Sequence, residues 1–194
     1  MNQVIFSNET KINLFAFDGR VYVRRKVGQR YNKKKFKPTV KHGGGSIMIW
    51  ACSLSADVEN ICIIDGLMNS EIYFRIIDTH LAPSVKKIKL KNYILQQDND
   101  PKHTINCTRD HLSDKKILTS DWPAQSPDMN PIENLWYILK VEVEKGKPKN
   151  IKELKKCVKE EWNKIDLDAC KKFLKSMNSR CNELLRVKGE HTKF

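Results

Sequence analysis

No run of 18 apolar residues occurs in this 194-residue chain, which excludes a membrane-spanning helix. Residues Met1 to Phe6 hold no charged segment leading into an apolar stretch, so no secretory signal is expected. The six cysteines (52, 62, 107, 157, 170 and 181) form no C-x-x-C pair and show no zinc-like spacing with histidine. Buried free thiols in a reducing compartment are therefore expected, instead of a disulfide or metal framework. Gly43-Gly44-Gly45 has no Gly-Lys-Ser/Thr after it, which argues against a phosphate-binding loop and for a flexible entry to a strand. Internal repeats and low-complexity linkers are also absent, and the length suits one domain with a real core. The most informative gap is in acidic residues, none of which falls between Gly19 and Ala56.

That stretch instead gathers Arg24, Arg25, Lys26, Lys33, Lys34, Lys35, Lys37 and Lys41, with Tyr22, Tyr31 and Phe36 among them. Like charges at this density repel and extend a segment unless an anion neutralises them, so these eight residues are the expected nucleic-acid-binding set. A merely solvated loop is the alternative. The formal net charge of +13 and pI near 9.5 point the same way, to a polyanionic partner and above all nucleic acid. Lys33-Lys34-Lys35-Phe36-Lys37 also has the composition of a nuclear import signal.

Hydrophobic patterning predicts strands at Val4 to Glu9, continued or paired by Ile12 to Phe15, then at Ile47 to Cys52 and Ile61 to Ile64. Asn69-Ser70 caps a predicted helix carrying Ile72, Tyr73, Ile76, Ile77 and Leu81, which should stop before Pro83. Tyr93, Ile94 and Leu95 form a further strand that runs into Gln96-Gln97-Asp98-Asn99-Asp100-Pro101. Pro101 cannot continue a ladder, so Asp98 belongs at the strand's carboxyl end, where open α/β sheets bind ligands. A plain turn built by Asx side chains remains open for this stretch. A helix from about Ile105 to Leu112 and a short strand at Ile117-Leu118 follow.

Asn130-Pro131-Ile132-Glu133 reads as a helix start, with Asn130 as N-cap and Glu133 at the reciprocal position of a capping box. Ile132, Leu135, Trp136 and Leu139 form its buried stripe, and Trp136 and Tyr137 should divide between core and rim. Asn150 and Glu153 repeat the capping pattern before Leu154, Val158 and Trp162. A last helix from about Asp168 should bury Cys170, Phe173, Leu174, Met177, Cys181, Leu184 and Leu185.

Three strands, helix, strand, helix, strand, helices: right-handed crossovers and few buried edges leave few topologies for this order. One is an α/β, ribonuclease H-like fold, a mixed five-stranded sheet with an antiparallel meander followed by parallel strands, flanked by helices. It places residue 8 on the first strand near Asp98 on the fourth, with Glu133 facing the same spot. Clustered carboxylates suit Mg²⁺, which prefers hard oxygen ligands and keeps positions open for water and phosphate.

Several stretches resemble the DDE transposases of the mariner superfamily. They are Phe6-Ser7-Asn8-Glu9, Val40 to Ser46 with Met48 and Trp50, Gln96-Gln97-Asp98-Asn99 with His103, Trp122 to Trp136, and Lys188 to Phe194. The resemblance covers essentially the whole chain, and 34 residues separate Asp98 from Glu133, as in one large branch of that superfamily. It implies a ribonuclease H-like catalytic domain over residues 1–194, with a basic insertion at about 19–45 that in relatives reaches towards DNA and a partner subunit, and C-terminal helices at about 150–188. It further implies two Mg²⁺ or Mn²⁺ ions, cut-and-paste DNA transposition in a nucleus, and a homodimer. By the same resemblance Asp98 is the second catalytic and metal-binding acid and Glu133 the third.

Asn8 stands where the superfamily has its first aspartate. An amide offers one neutral oxygen, so metal binding should weaken and DNA cutting should be poor or absent. Glu9 is not expected to substitute, because successive strand residues point to opposite faces. Relatives also carry an amino-terminal pair of helix-turn-helix modules, and this chain starts almost at the first strand, so specific reading of transposon ends is not expected. His103 either orients DNA or a metal-bound water or is an ordinary loop histidine. The alternative function is a non-catalytic nuclear DNA-binding or interaction domain derived from a transposase. A ribonuclease H-like nuclease for another nucleic acid is disfavoured by the long match from Trp122 to Trp136.

Overall fold

The computed structural model describes residues 3–15, 44–53, 61–123, 126–190 and 192. The eight basic residues from Arg24 to Lys41 lie outside these. Within them, β1 (Gln3–Asn13) pairs antiparallel with β2 (Ser46–Ser53), and β2 pairs antiparallel with β3 (Cys62–Ile64). On its other side β1 pairs parallel with β4 (Tyr93–Gln96), which pairs parallel with β5 (Leu118–Thr119). The sheet order is β3-β2-β1-β4-β5, the mixed five-stranded arrangement that the order of elements predicts. Ile12 to Phe15 forms no separate strand: β1 simply runs on to Asn13.

The central β2 is apolar on both faces because helices cover both. Ile49 and Ala51 pack with α5 (Ile132–Gly146) and α6 (Ile151–Asn163). Trp50 and Cys52 pack with Tyr73, Ile76 and Leu81 on the opposite side. Along α5, Ile132, Leu135, Trp136, Leu139 and Val143 are buried, the expected stripe extended by one turn. Trp136 meets Trp162 of α6 at 5.1 Å between ring centroids, while Tyr137 is exposed, so the two aromatics divide as expected. At the start of α6 the capping pattern forms with one shift: the Asn150 side chain accepts from Glu153 N–H at 2.9 Å, and the Glu153 carboxylate reaches one residue beyond the cap to accept from Lys149 N–H at 2.9 Å.

Three expectations need correction. Pro83 does not end its helix. The α-helix α1 (Ser70–Ile76) widens into a π-turn (Ile77–Leu81), then α2 (Ala82–Lys87) carries Pro83 in its first turn, where no N–H is needed. The predicted Ile105 to Leu112 helix is α4 (Asn106–Asp114), but a short helix that the sequence pattern did not predict, α3 (Pro101–Thr104), precedes it across extended Ile105. The last helix is instead α7 (Leu167–Lys175) and α8 (Met177–Arg186); the predicted apolar face holds in α7, where Cys170 is buried and Phe173 packs on the core, but not in α8. Arg180 is buried there, Cys181 is exposed and Leu185 is 77% exposed. None of the six cysteines forms a disulfide, and Cys52 and Cys170 are buried but Cys107 and Cys181 exposed, so burial holds for only part of the set.

Candidate active site

The carboxyl end of β4 is placed by its pairing with β1. Phe6 and Gln96 are register partners in that parallel ladder, and two residues further along each chain lie Asn8 and Asp98. The third residue arrives with α5. Asn130 donates to the Ser7 carbonyl at 3.3 Å, tying the loop before α5 to β1, and its side-chain oxygen accepts from Ile132 N–H at 3.3 Å. Glu133, one residue into the helix, then accepts a hydrogen bond from the Asn8 side-chain amide. Asn8, Gln96, Asp98, Asn99, Asn130 and Glu133 thus share one cleft of about 350 Å³. Trp122 walls it, held edge-on to Phe6 at 6.2 Å and by a 2.7 Å bond from Asn99 to its carbonyl.

Positions 8, 98 and 133 therefore meet in space, although the first and last are 125 positions apart. The predicted capping role of Glu133 does not materialise. Asn130 N–H donates to the Pro127 carbonyl instead, and the Glu133 carboxylate turns to Asn8. Among the described residues, no member of the predicted DNA-binding set appears beside the cleft, since all eight lie outside them.

The two acids differ in environment. Burial raises the pKa of Glu133, with a neighbouring Asp98 charge adding to it, while Lys140 and the Asn8 amide oppose. Asp98 is pulled below the usual carboxylate range by the hydrogen bond from His103, against the effect of burial, helped by Asp100 N–H. Asn8 orients its amide accordingly: its oxygen accepts from Glu9 N–H at 2.7 Å, and its nitrogen faces Glu133. As a donor set for a hard divalent cation, Asp98 and Glu133 fit, whereas Asn8 offers only a neutral oxygen that is already engaged.

Sequence reasoning missed a second constellation behind Asp98. His103, at the start of α3, is 3% exposed and bonds Asp98 Oδ1 through Nδ1 at 2.7 Å. Its Nε2 lies 3.3 Å from Glu9 Oε1, an ion-pair distance without hydrogen-bond alignment. Burial would lower the imidazole's pKa, but Asp98 and Glu9 outweigh that and lift it to about 9. Lys102 reaches Glu9 at 3.5 Å and Asp100 at 2.8 Å. Glu9 does face away from Asn8, as strand alternation requires, yet Glu9, Asp98 and His103 lie close enough to share a cation. Arg180 is the other missed residue. Its buried guanidinium bonds the Asp128 carbonyl, the Asn134 side chain and, at 2.9 Å, Ser176, fastening the loop before Glu133 to α8.

Comparison with known proteins gives this geometry a family. A model described as DDE superfamily endonuclease matches residues 3–155. The chain is 37% identical over 190 residues to the Transposable element Tc1 transposase of Caenorhabditis elegans, covering 98% of this chain and 70% of that protein. It is 35% identical to the Transposable element Tc3 transposase of the same species, covering 97% of this chain and 57% of that protein. Among solved structures, the Mos1 mariner paired end complex with Mn matches with a TM-score of 0.80 at 16% identity, over 98% of this chain and 57% of that one. The catalytic domain of Mos1 mariner transposase matches with a TM-score of 0.71 at 15% identity, over 99% and 86%. Those likenesses establish the ribonuclease H-like fold, and this chain spans a little over half the length of the Mos1 chain in the paired end complex. With the family match and the Tc1 identity added, the chain belongs to the DDE superfamily endonucleases, as a catalytic domain of the mariner type of DDE transposase.

Proposed function

We propose that this domain carries the strand-cleavage and strand-transfer site of cut-and-paste DNA transposition, and that Asn8 leaves the site impaired. The supporting observation is the convergence of Asp98 and Glu133 on one cleft in which Asn8 donates its amide to Glu133. Asp98 and Glu133 would hold Mg²⁺ or Mn²⁺, which when bound polarises the scissile phosphate and lowers the pKa of an attacking hydroxyl. Asp98, kept ionised by His103, supplies a fixed negative charge. Glu133 supplies the second carboxylate, presented to the cleft from the first turn of α5. Asn8 withholds the third charge and occupies a Glu133 oxygen that a cation needs.

DNA is the partner, held through phosphates by Arg24, Arg25, Lys26, Lys33, Lys34, Lys35, Lys37 and Lys41 without sequence preference, by a nuclear homodimer. Neutralising Lys33, Lys34, Lys35 and Lys37 should abolish nuclear accumulation of a fluorescent fusion, and unchanged accumulation would remove the import role. The decisive assay is nicking of supercoiled plasmid with Mn²⁺. Asn8→Asp should nick well above the parent chain, and equal robust nicking by both would remove the impairment. One observation favours a second function, a DNA-binding domain without catalysis: the Asn8 amide takes a Glu133 oxygen that a cation would otherwise engage. Nicking by neither protein, with DNA binding intact in both, would select it.

A further inference from the structure

We propose that His103 is a positioning residue that fixes which oxygen of Asp98 faces the cleft, held in turn by Glu9 from the opposite face of the sheet; the inference rests on Asp98 being a metal-binding carboxylate, as proposed above. Asp98 Oδ1 receives two donors, His103 Nδ1 at 2.7 Å and Asp100 N–H at 3.1 Å. Its lone pairs are directed back into the protein. Oδ2 receives no such bond among the described residues, and the side chain is 51% exposed and lines the cleft that Asn8 and Glu133 share. A carboxylate that is free to rotate offers either oxygen, or both, whereas one pinned at Oδ1 offers Oδ2 alone.

The imidazole is built to hold that orientation. Its ring packs on Tyr73 with centroids 4.5 Å apart and lies against Glu9 on the other edge. The Tyr73 hydroxyl donates to Gln97, whose amide donates to the His103 carbonyl at 3.4 Å. His103 N–H bonds the Asp100 carbonyl at 2.8 Å, closing the turn that follows Asp98. A flipped ring would set carbon atoms against both carboxylates, so the two acids specify a single orientation of a ring they grip from opposite faces of the sheet. A loop histidine with a purely packing role requires neither contact. Outer partners of this kind typically change metal affinity by about 10- to 100-fold when removed.

The test is Mn²⁺ binding to the full chain carrying Asn8→Asp, followed by the electron paramagnetic resonance signal of free Mn²⁺, with thermal melting to confirm folding. Leucine at 103 keeps bulk and removes both nitrogens, asparagine keeps a donor near the Nδ1 position, and glutamine keeps one near Nε2. His103→Leu should weaken Mn²⁺ binding about tenfold or more. His103→Asn should recover to within about threefold of the parent, and Glu9→Gln should fall between them. His103→Leu binding as tightly as the parent, or His103→Asn binding as weakly as His103→Leu, would overturn the proposal. Should the leucine variant fail to fold, asparagine against glutamine decides: asparagine must bind more tightly, and equal or reversed affinities overturn it. Asp98→Asn separates the two layers of the claim. If that change leaves Mn²⁺ affinity intact, Asp98 is not a ligand; if it abolishes binding while His103→Leu does not matter, only the positioning role falls.

Discussion

Replacing Asn8 with aspartate should destabilise the metal-free domain while restoring its response to divalent cations. In the present chain the Asn8 amide donates to Glu133, whose pKa is already raised by burial and by Asp98. The substitution removes a hydrogen bond to a charged group, worth about 1.5–3 kcal/mol, and sets a second carboxylate against the first. Two charges about 4 Å apart repel by roughly 4 kcal/mol at an effective dielectric constant near 20, an upper figure for a pair that opens on solvent. Proton uptake by Glu133 relieves part of this, leaving a loss of about 2 kcal/mol at neutral pH, or roughly 4–8 °C in melting temperature for a domain of this size. Melting both proteins in EDTA and in millimolar Mn²⁺ measures the effect. Asn8→Asp should melt lower in EDTA and gain more from Mn²⁺ than the parent. An unchanged or higher melting temperature in EDTA, with equal Mn²⁺ gains, would refute the opposition of positions 8 and 133.

Arg180→Met should cost about 2–4 kcal/mol in urea unfolding, because the Asp128 carbonyl and Asn134 lose a buried partner; a loss under about 0.5 kcal/mol would show the clamp to be idle. Stability in EDTA should depend on pH through His103, whose pKa rises from 6.5 unfolded to about 9 folded. The protonated form is favoured by folding, so its contribution is complete below pH 6.5 and is lost as pH rises through 9, and the slope should vanish in His103→Asn. Asp98, lowered on folding, contributes above its unfolded value of 3.8 and loses that contribution as pH falls through its depressed pKa, so unfolding free energy should peak between these limits. If about six phosphate contacts form, affinity for duplex DNA should fall roughly a thousandfold between 50 and 200 mM salt, as read by fluorescence anisotropy; a shallow salt slope would contradict a phosphate-held complex.

The sheet and the α5 stripe were legible because side-chain period translates directly into buried faces, as Ile49 and Trp50 on β2 and Leu135 and Leu139 on α5 illustrate. The convergence of positions 8, 98 and 133 was legible from the order of elements, but their reading as one acidic set leaned on the family resemblance, since alone Glu133 reads as a cap and Asp98 equally well as a turn residue. The cap failed because a tertiary partner, the Asn8 amide, competes for the carboxylate. Pro83 misled because a π-turn relieves the clash that ordinarily stops a helix. His103 and Glu9 were hidden by a sound rule: Glu9 does point away from Asn8, but Asp98 lies past the last ladder pair and is reached from both faces. Arg180 gave no periodic signal at all, because its partners are a carbonyl and a side chain 52 and 46 residues away.

The most direct measurement is a crystal of the Asn8→Asp chain soaked in Mn²⁺, with anomalous scattering to locate the ions. Density within ligand distance of the side chains at 98 and 133, joined by the new carboxylate at 8 and absent or weaker in the parent chain, is the result expected. Manganese bound elsewhere, or equally in both proteins, would contradict a divalent-cation site that Asn8 disables.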